Sequence, residues 1–287
     1  MKKKLATVLA AAMAVTLAGC GASSSDTAAS EAVTEAAAES TEAAAEASTD
    51  AAEETTEAAT EETAADEKSE GVMTYEEYLA ADVDSEVTIE TYIQAKQGWW
   101  ENEGVGVATF YTQDQDGGYF LYNLPCSEED YNDKLTVGTK IKVTGYKSEW
   151  SGEVEIIDGT YEVENGTYVA EPTDVTDKLG TDDLEAYMNQ VVSMKGLTVA
   201  ASTDASGNEA AYLYNYDGSG SQGDDLYFNV AAGDATYTFT VESYLCDKDS
   251  DVYKAVEGLN VGDTIDVEGF LHWYEGAQPH VTSVTVE

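Results

Sequence analysis

The sequence contains no arginine and few basic residues of any kind. Its 287 residues include 13 Lys against 57 Asp and Glu, which gives a formal net charge of −44. A protein that binds a phosphate backbone through charge needs clustered Lys and Arg, so this composition argues against nucleic acid as a partner. The sequence also has only two His, no glycine-rich phosphate loop and no cysteine pair at metal-ligand spacing. We therefore predict no catalytic residue, no metal site and no cofactor, and we expect a protein that is not an enzyme.

The N-terminus has the parts of an export signal. Three lysines at residues 2–4 precede an apolar run over residues 5–17, which is too short to span a bilayer. The run ends in Leu-Ala-Gly-Cys at residues 17–20, which resembles the lipobox of bacterial lipoproteins. This resemblance implies a signal peptide over residues 1–20 and a lipid on Cys20. It places the protein at the cell membrane, on the extracytoplasmic face; the alternative is an ordinary secretory signal.

Residues 21–71 have a composition unlike the rest of the chain. They are almost entirely Ala, Ser, Thr, Asp and Glu, with one Lys and no aromatic residue. Such a segment has too little apolar surface to offset the entropy lost on ordering. We predict a disordered acidic linker between the membrane anchor and a folded part.

An internal repeat organises residues 72–287. Residues 135–152 read LTVGTKIKVTGYKSEWSG, and residues 259–276 read LNVGDTIDVEGFLHWYEG, with seven identities at a constant offset of 124 residues. Alternating Val, Ile and Thr around each copy predict β-strands. Three strands, a short helix and two more strands is the element order of an OB-fold. We predict a mostly β protein of two tandem five-stranded OB-like barrels with short helices, over residues 72–172 and 173–287.

The repeat and the lead-in sequence MTYEEYLAAD resemble a family of tandem-module lipoproteins of anaerobic Gram-positive bacteria. The resemblance covers residues 73–287 and implies location and fold without an activity. The second copy has about twenty extra residues before its helix, which we expect to form an added hairpin around residues 217–225. Cys126 and Cys246 fall at corresponding places in the two copies, so we expect two free thiols rather than a disulfide.

The tryptophans form the most suggestive pattern for a ligand site. Three of the four fall in two predicted loops, residues 96–104 and 146–152, that flank the ligand face of OB-folds. Flat aromatic rings suit sugars, extended peptides or bases. The alternative is that they plug the barrel mouth or pack between the copies. The predicted ligand-binding residues are Trp99, Trp100, Trp150, Tyr146, Trp273 and Tyr274.

These observations predict a lipid-anchored extracytoplasmic binding or adaptor protein with a glycan or an extended peptide as its ligand. The alternative function is a structural or complex-assembly lipoprotein of the cell envelope. A third and more remote hypothesis is a protein that binds single-stranded nucleic acid. A zinc site built from His272, His280 and Glu275 is a weaker possibility, since two His and one Glu suffice to hold that ion.

The lipobox leads to a direct prediction. The Cys20→Ala variant should be released from the membrane or accumulate with its signal uncleaved, because stable anchoring needs the acyl chains. Membrane fractionation together with mass spectrometry of the N-terminus measures this. A Cys20→Ala protein that is still acylated and membrane-bound would contradict it.

Overall fold

The computed structural model describes residues 68–287, and β-strands are the most abundant secondary structure among them. The predicted signal peptide, Cys20 and nearly all of the predicted linker lie outside the described residues. Within residues 68–287, no helix is both long enough and apolar enough to cross a bilayer.

The first half of the described chain forms a closed five-stranded barrel. Its elements are α1 (Tyr75–Ala80), β1 (Glu86–Lys96), β2 (Trp100–Asn102), β3 (Val105–Gln113), β4 (Gly118–Pro125), α2 (Glu128–Asp133), β5 (Thr139–Trp150) and β6 (Glu153–Thr167). Strand β1 pairs antiparallel with both β3 and β5, and β4 pairs in parallel with β6. These pairings close the barrel in the OB order, while the short strand β2 extends it beside β3.

The second half repeats this topology. Its elements are β7 (Thr173–Asp174), two 3-10 helices (Thr176–Lys178 and Asp182–Tyr187), β8 (Val191–Ala200), β9 (Ser202–Thr203), β10 (Glu209–Ala210), β11 (Leu213–Tyr214), β12 (Leu226–Ala232), β13 (Ala235–Val241), α3 (Asp251–Glu257), β14 (Thr264–Phe270) and β15 (His280–Val286). Strand β8 pairs with β12 and β14, and β13 pairs in parallel with β15. The predicted pair of OB-like barrels is confirmed.

The sequence repeat maps onto the same strand in both barrels. Ile141 and Val143 on β5 are fully buried, as are Ile265 and Val267 on β14. The turn before each strand requires a glycine, because Gly138 and Gly262 have φ of +84° and +95°. One side of each strand therefore faces its barrel core, as the alternation predicts.

Side-chain caps begin the three α-helices. Thr74 and Glu77 form a capping box at the start of α1, and Ser127 and Ser250 cap α2 and α3. The 3-10 helix Asp182–Tyr187 follows Thr181 without a side-chain cap hydrogen bond.

The extra residues of the second copy lie in a different place from the one predicted. They fill the connection between β8 and β12, where β9 and β10 form a small hairpin over residues 202–210. Residues 217–225 form turns held by side-chain bonds, such as the Ser219 amide to the Asp217 carboxylate. The barrel nevertheless closes, because β12 still pairs with β8.

The two barrels pack against each other through an aromatic contact. Tyr111 and Phe120 of the first barrel and Phe270 of the second form a buried cluster, with the Tyr111 and Phe270 ring centroids 4.5 Å apart. Hydrogen bonds cross the same contact: the Val191 amide donates to the Gln113 side chain at 2.7 Å. This contact is what places residues of both barrels around one cleft.

Each barrel also has a core of its own, and from this we predict that a cut near Asp177 gives two pieces that fold separately. A β-barrel of about a hundred residues buries enough apolar surface to fold alone. Each of the two pieces should show a cooperative transition on thermal unfolding. The absence of one in both pieces would show that the barrels depend on their shared contact.

Candidate functional site

A cleft of about 780 Å³ lies between the two barrels. Strands β4 to β6 of the first barrel supply one wall, and strands β12, β13 and β15 of the second barrel supply the other. Four carboxylates and several aromatic rings line it, and no Lys does within the described chain. The residues that matter most are Trp150, Glu153, Glu155, Asp225, Glu242 and Tyr274.

The turn between β5 and β6 positions the first wall. Ser151 and Gly152 both have positive φ, so the chain reverses tightly and sets Trp150 opposite Glu153. A Cβ on Gly152 would lie 2.8 Å from the Trp273 ring, so only glycine allows the second barrel to approach this turn. The Glu275 amide also donates to the Ser151 carbonyl at 2.7 Å. This fit fixes the hairpin and thereby the residues that follow it.

Glu153 is the most deeply buried of the four carboxylates. Its Oε2 accepts a hydrogen bond from the Trp273 amide at 2.7 Å, while its Oε1 is buried without a hydrogen-bond partner. Burial, with a smaller contribution from the charge of Glu155, raises the pKa of Glu153 to about 8. Without a neighbouring cation, this carboxyl group is therefore largely protonated at neutral pH.

The two histidines of the chain lie beside Glu153. The rings of His272 and His280 stack with centroids 4.0 Å apart, and His280 Nδ1 is 2.6 Å from the Tyr111 hydroxyl. Burial lowers the pKa of His272 to about 4 and the pKa of His280 well below its usual value. Both rings are thus neutral at pH 7. The backbone amide of Glu275 bonds to Ser151 rather than to either histidine. Within residues 68–287 no group of three His, Cys, Asp or Glu is placed to hold a metal ion.

The second wall carries another carboxylate pair. Burial, followed by the charge of Asp225, raises the pKa of Glu242 to about 7. Asp225 accepts hydrogen bonds from the Ser243 amide and hydroxyl at 2.8 and 2.6 Å. Thr240 is on the same wall, and its hydroxyl is buried without a hydrogen-bond partner. This wall therefore holds partly desolvated oxygen atoms with unused hydrogen-bonding capacity.

Exposed aromatic rings form the rim of the cleft. Trp150 is 56% exposed and packs against Tyr274, with ring centroids 5.2 Å apart. Tyr122 and Tyr216 are exposed on the same cleft. The rim therefore presents ring faces above a floor of carboxylates.

The predicted ligand residues are only partly brought together. Trp150 and Tyr274 line the cleft, whereas Trp273 is half-buried beside the first-barrel turn. Trp99 is partly buried against the core of the first barrel, and its indole N–H donates to the Cys126 carbonyl at 3.0 Å. Trp100 and Tyr146 are exposed outside the cleft lining. Whether any of the six contacts a ligand stays a prediction.

Nothing in the residue pattern distinguishes the carboxylates that line the cleft. Glu153, Glu155 and Glu242 were hidden among the many acidic residues, and burial alone distinguishes them. Cys126 and Cys246 are free thiols, as predicted, and burial raises the pKa of each to about 11. Neither cysteine lines the cleft.

Comparison with known proteins identifies similar folds only. No family model and no curated protein sequence matches the chain. Among solved structures, a murine DNA-binding protein bound to double-stranded DNA has a TM-score of 0.33 at 10% identity, over 69% of this chain and 97% of its own. The Ifi202 HINa domain in complex with double-stranded DNA has a TM-score of 0.31 at 11% identity, and the match covers 71% of this chain and 98% of that one. A replication protein A heterotrimer bound to single-stranded DNA has a TM-score of 0.28 at 10% identity, and the match covers 70% of this chain and 49% of that one.

These neighbours contradict two predictions from the sequence. One is the function as a lipid-anchored glycan or peptide binder, or as an assembly lipoprotein; the other is the argument against nucleic acid as a partner. The neighbours named above are DNA-bound proteins, and none is named as a lipoprotein. The physical reason is that net charge is a sum over the whole chain and does not show where charges cluster on a folded surface. At these identities the likeness extends to the fold alone.

The buried Glu153 predicts an unusual dependence of stability on pH. Its pKa is raised in the folded protein, so its contribution to stability is full below the unfolded pKa and is lost as pH rises towards about 8. The Glu153→Gln variant removes this loss. Its melting temperature relative to the wild type should therefore rise between about pH 4.5 and about pH 8 and then level off, gaining a few degrees.

Differential scanning calorimetry over this pH range measures the effect. Glu149→Gln is the matched control, because Glu149 is exposed on the same hairpin. A pH-independent difference between Glu153→Gln and the wild type would show that Glu153 keeps its ordinary pKa in the folded protein.

Proposed function

We propose that this protein is a non-enzymatic binding protein whose cleft between the barrels takes a small organic cation. The observation that carries the proposal is the lining itself: four carboxylates face one cleft, and among residues 68–287 none of them pairs with a Lys. A bound cation would supply the missing partner and restore ionisation of the buried carboxyl groups.

The aromatic rim supports the same class of ligand. A cation over the face of Trp or Tyr gains about 0.5–2 kcal/mol, the larger values when it is desolvated. Trp150 and Tyr274 offer such faces next to Glu153. The cleft volume also falls within the roughly 300–1,000 Å³ of small-molecule sites.

The chemistry of the cleft favours binding over catalysis. The two histidines are neutral, buried and stacked on each other, so they are poorly placed to exchange protons with a ligand. The raised pKa values of the cysteines keep them as thiols rather than nucleophilic thiolates. These features support a binding role for the carboxylates.

Calorimetric titration of the full chain tests the proposal. We expect benzyltrimethylammonium, an aromatic cation of fixed charge, to bind and benzyl alcohol, an uncharged aromatic, not to bind. Trp150→Ala should weaken cation binding by about three- to ten-fold. Trp100→Ala is the control and should leave cation binding unchanged, because Trp100 is exposed outside the cleft. Affinity should also fall as pH is lowered from about 9 to about 6, because protonation of Glu153 and Glu242 competes with the cation.

Three results would contradict the proposal. The first is equal binding of the charged and uncharged aromatic compounds. The second is no binding of either. The third is tight binding of a single-stranded oligonucleotide that Trp150→Ala abolishes, which would make the cleft a nucleic-acid site.

A further inference from the structure

The carboxylates of the cleft fall into two pairs, one on each barrel. Glu153 and Glu155 are separated by one residue on β6 of the first barrel. Asp225 precedes β12 of the second barrel, and Glu242 follows β13. Within each pair the charge of one member raises the pKa of the other, in addition to the larger effect of burial. The acidic groups of the cleft are therefore concentrated at two places.

The two pairs do not converge on one point. Throughout the described part of the chain, no three His, Cys, Asp or Glu side chains come close enough together to hold a metal ion. A ligand with a single positive charge would neutralise one pair of carboxylates and leave the other pair without a positive partner. The distribution fits a ligand whose positive charges are themselves separated.

Polar atoms without partners occur on both walls. Glu153 and Thr240 are 1% and 2% exposed, and each has a buried oxygen, Oε1 and Oγ1, without a hydrogen-bond partner. The two residues are linked through a short chain of contacts: Thr240 pairs with His280, His280 stacks on His272, and His272 Nε2 is 3.9 Å from Glu153 Oε2. Unused acceptors at both ends favour charged groups that carry N–H donors.

We propose that the ligand is an aliphatic diamine or polyamine, with one ammonium group at the Glu153–Glu155 pair and a second at the Asp225–Glu242 pair. This inference rests on the proposed binding of organic cations in the same cleft. The alkyl chain between the two ammonium groups lies against the Trp150 and Tyr274 rings, which offer it apolar surface. Two linked ammonium groups bind more tightly than one, because the second binds intramolecularly once the first is held.

A chain-length series of α,ω-diamines, titrated into the full chain by calorimetry, tests this. Each diamine is compared with the monoamine of the same length. We expect one optimal length, at which the diamine binds about ten-fold or more tightly than its monoamine. A steady rise with length in both series would reflect hydrophobic burial only and would overturn the proposal.

Variants locate the two ammonium groups. Glu153→Gln and Glu242→Gln should each bring the affinity for the optimal diamine down to about that for the monoamine, and the double variant, which weakens both sites, should bind the diamine more weakly than either single variant. Glu149→Gln, on the exposed hairpin, should leave both affinities unchanged. A diamine that loses affinity through only one of the two variants would show that it uses a single pair.

The outcomes separate this inference from the proposed function. If monoamines and benzyltrimethylammonium bind as tightly as every diamine, the cleft binds cations and the two-site ligand is wrong. If no organic cation binds, the proposed function fails as well. Titration of Ca²⁺ serves as a further arm, and binding of Ca²⁺ that displaces the diamine at equal or lower concentration would identify a metal site instead.

Discussion

The contact between the β5–β6 turn of the first barrel and the final hairpin of the second is the constraint on which the site depends. Gly152 leaves room for the Trp273 ring, and the Trp273 amide then bonds to Glu153. This single approach buries a carboxyl group at the base of the cleft and sets Trp150 against Tyr274 at its rim. A larger residue at position 152 would push the two walls apart, so the cleft requires a glycine, which has no Cβ atom, at this position.

The same contact explains why the cleft holds neutral acids and bases side by side. His272 and Glu153 are 3.9 Å apart, which is within ion-pair distance. Burial lowers the pKa of the histidine to about 4 and raises that of the glutamate to about 8. Between these values both groups are uncharged, because taking two ions out of water costs more than their attraction returns. The interface is therefore neutral, and the glutamate remains available to an incoming positive charge.

Several features of the fold were predictable because they depend on neighbours in sequence. The repeat, with its apolar alternation at Ile141 and Val143, requires only the two-residue period of a strand. The capping box of Thr74 and Glu77 spans four residues. The sequence analysis predicted the added hairpin at the wrong residues, because turn-forming residues occur all along 201–225. The register of β12 against β8 decides which of them form strands.

The residue pattern was enough to establish the β-rich class, the two copies and the OB strand order, and it marked Trp150 and Tyr274 as aromatic residues near turns. It could not show which tryptophans pack against a core, as Trp99 does, or which carboxylates line the cleft, because both depend on how distant segments meet in the folded protein. Glu153 and the Trp273 amide are 120 residues apart in the chain. Their meeting follows from how one folded barrel fits the other, and no local pattern encodes such a fit. Burial is what makes Glu153 chemically different from the exposed Glu149, and burial is a property of the assembled molecule.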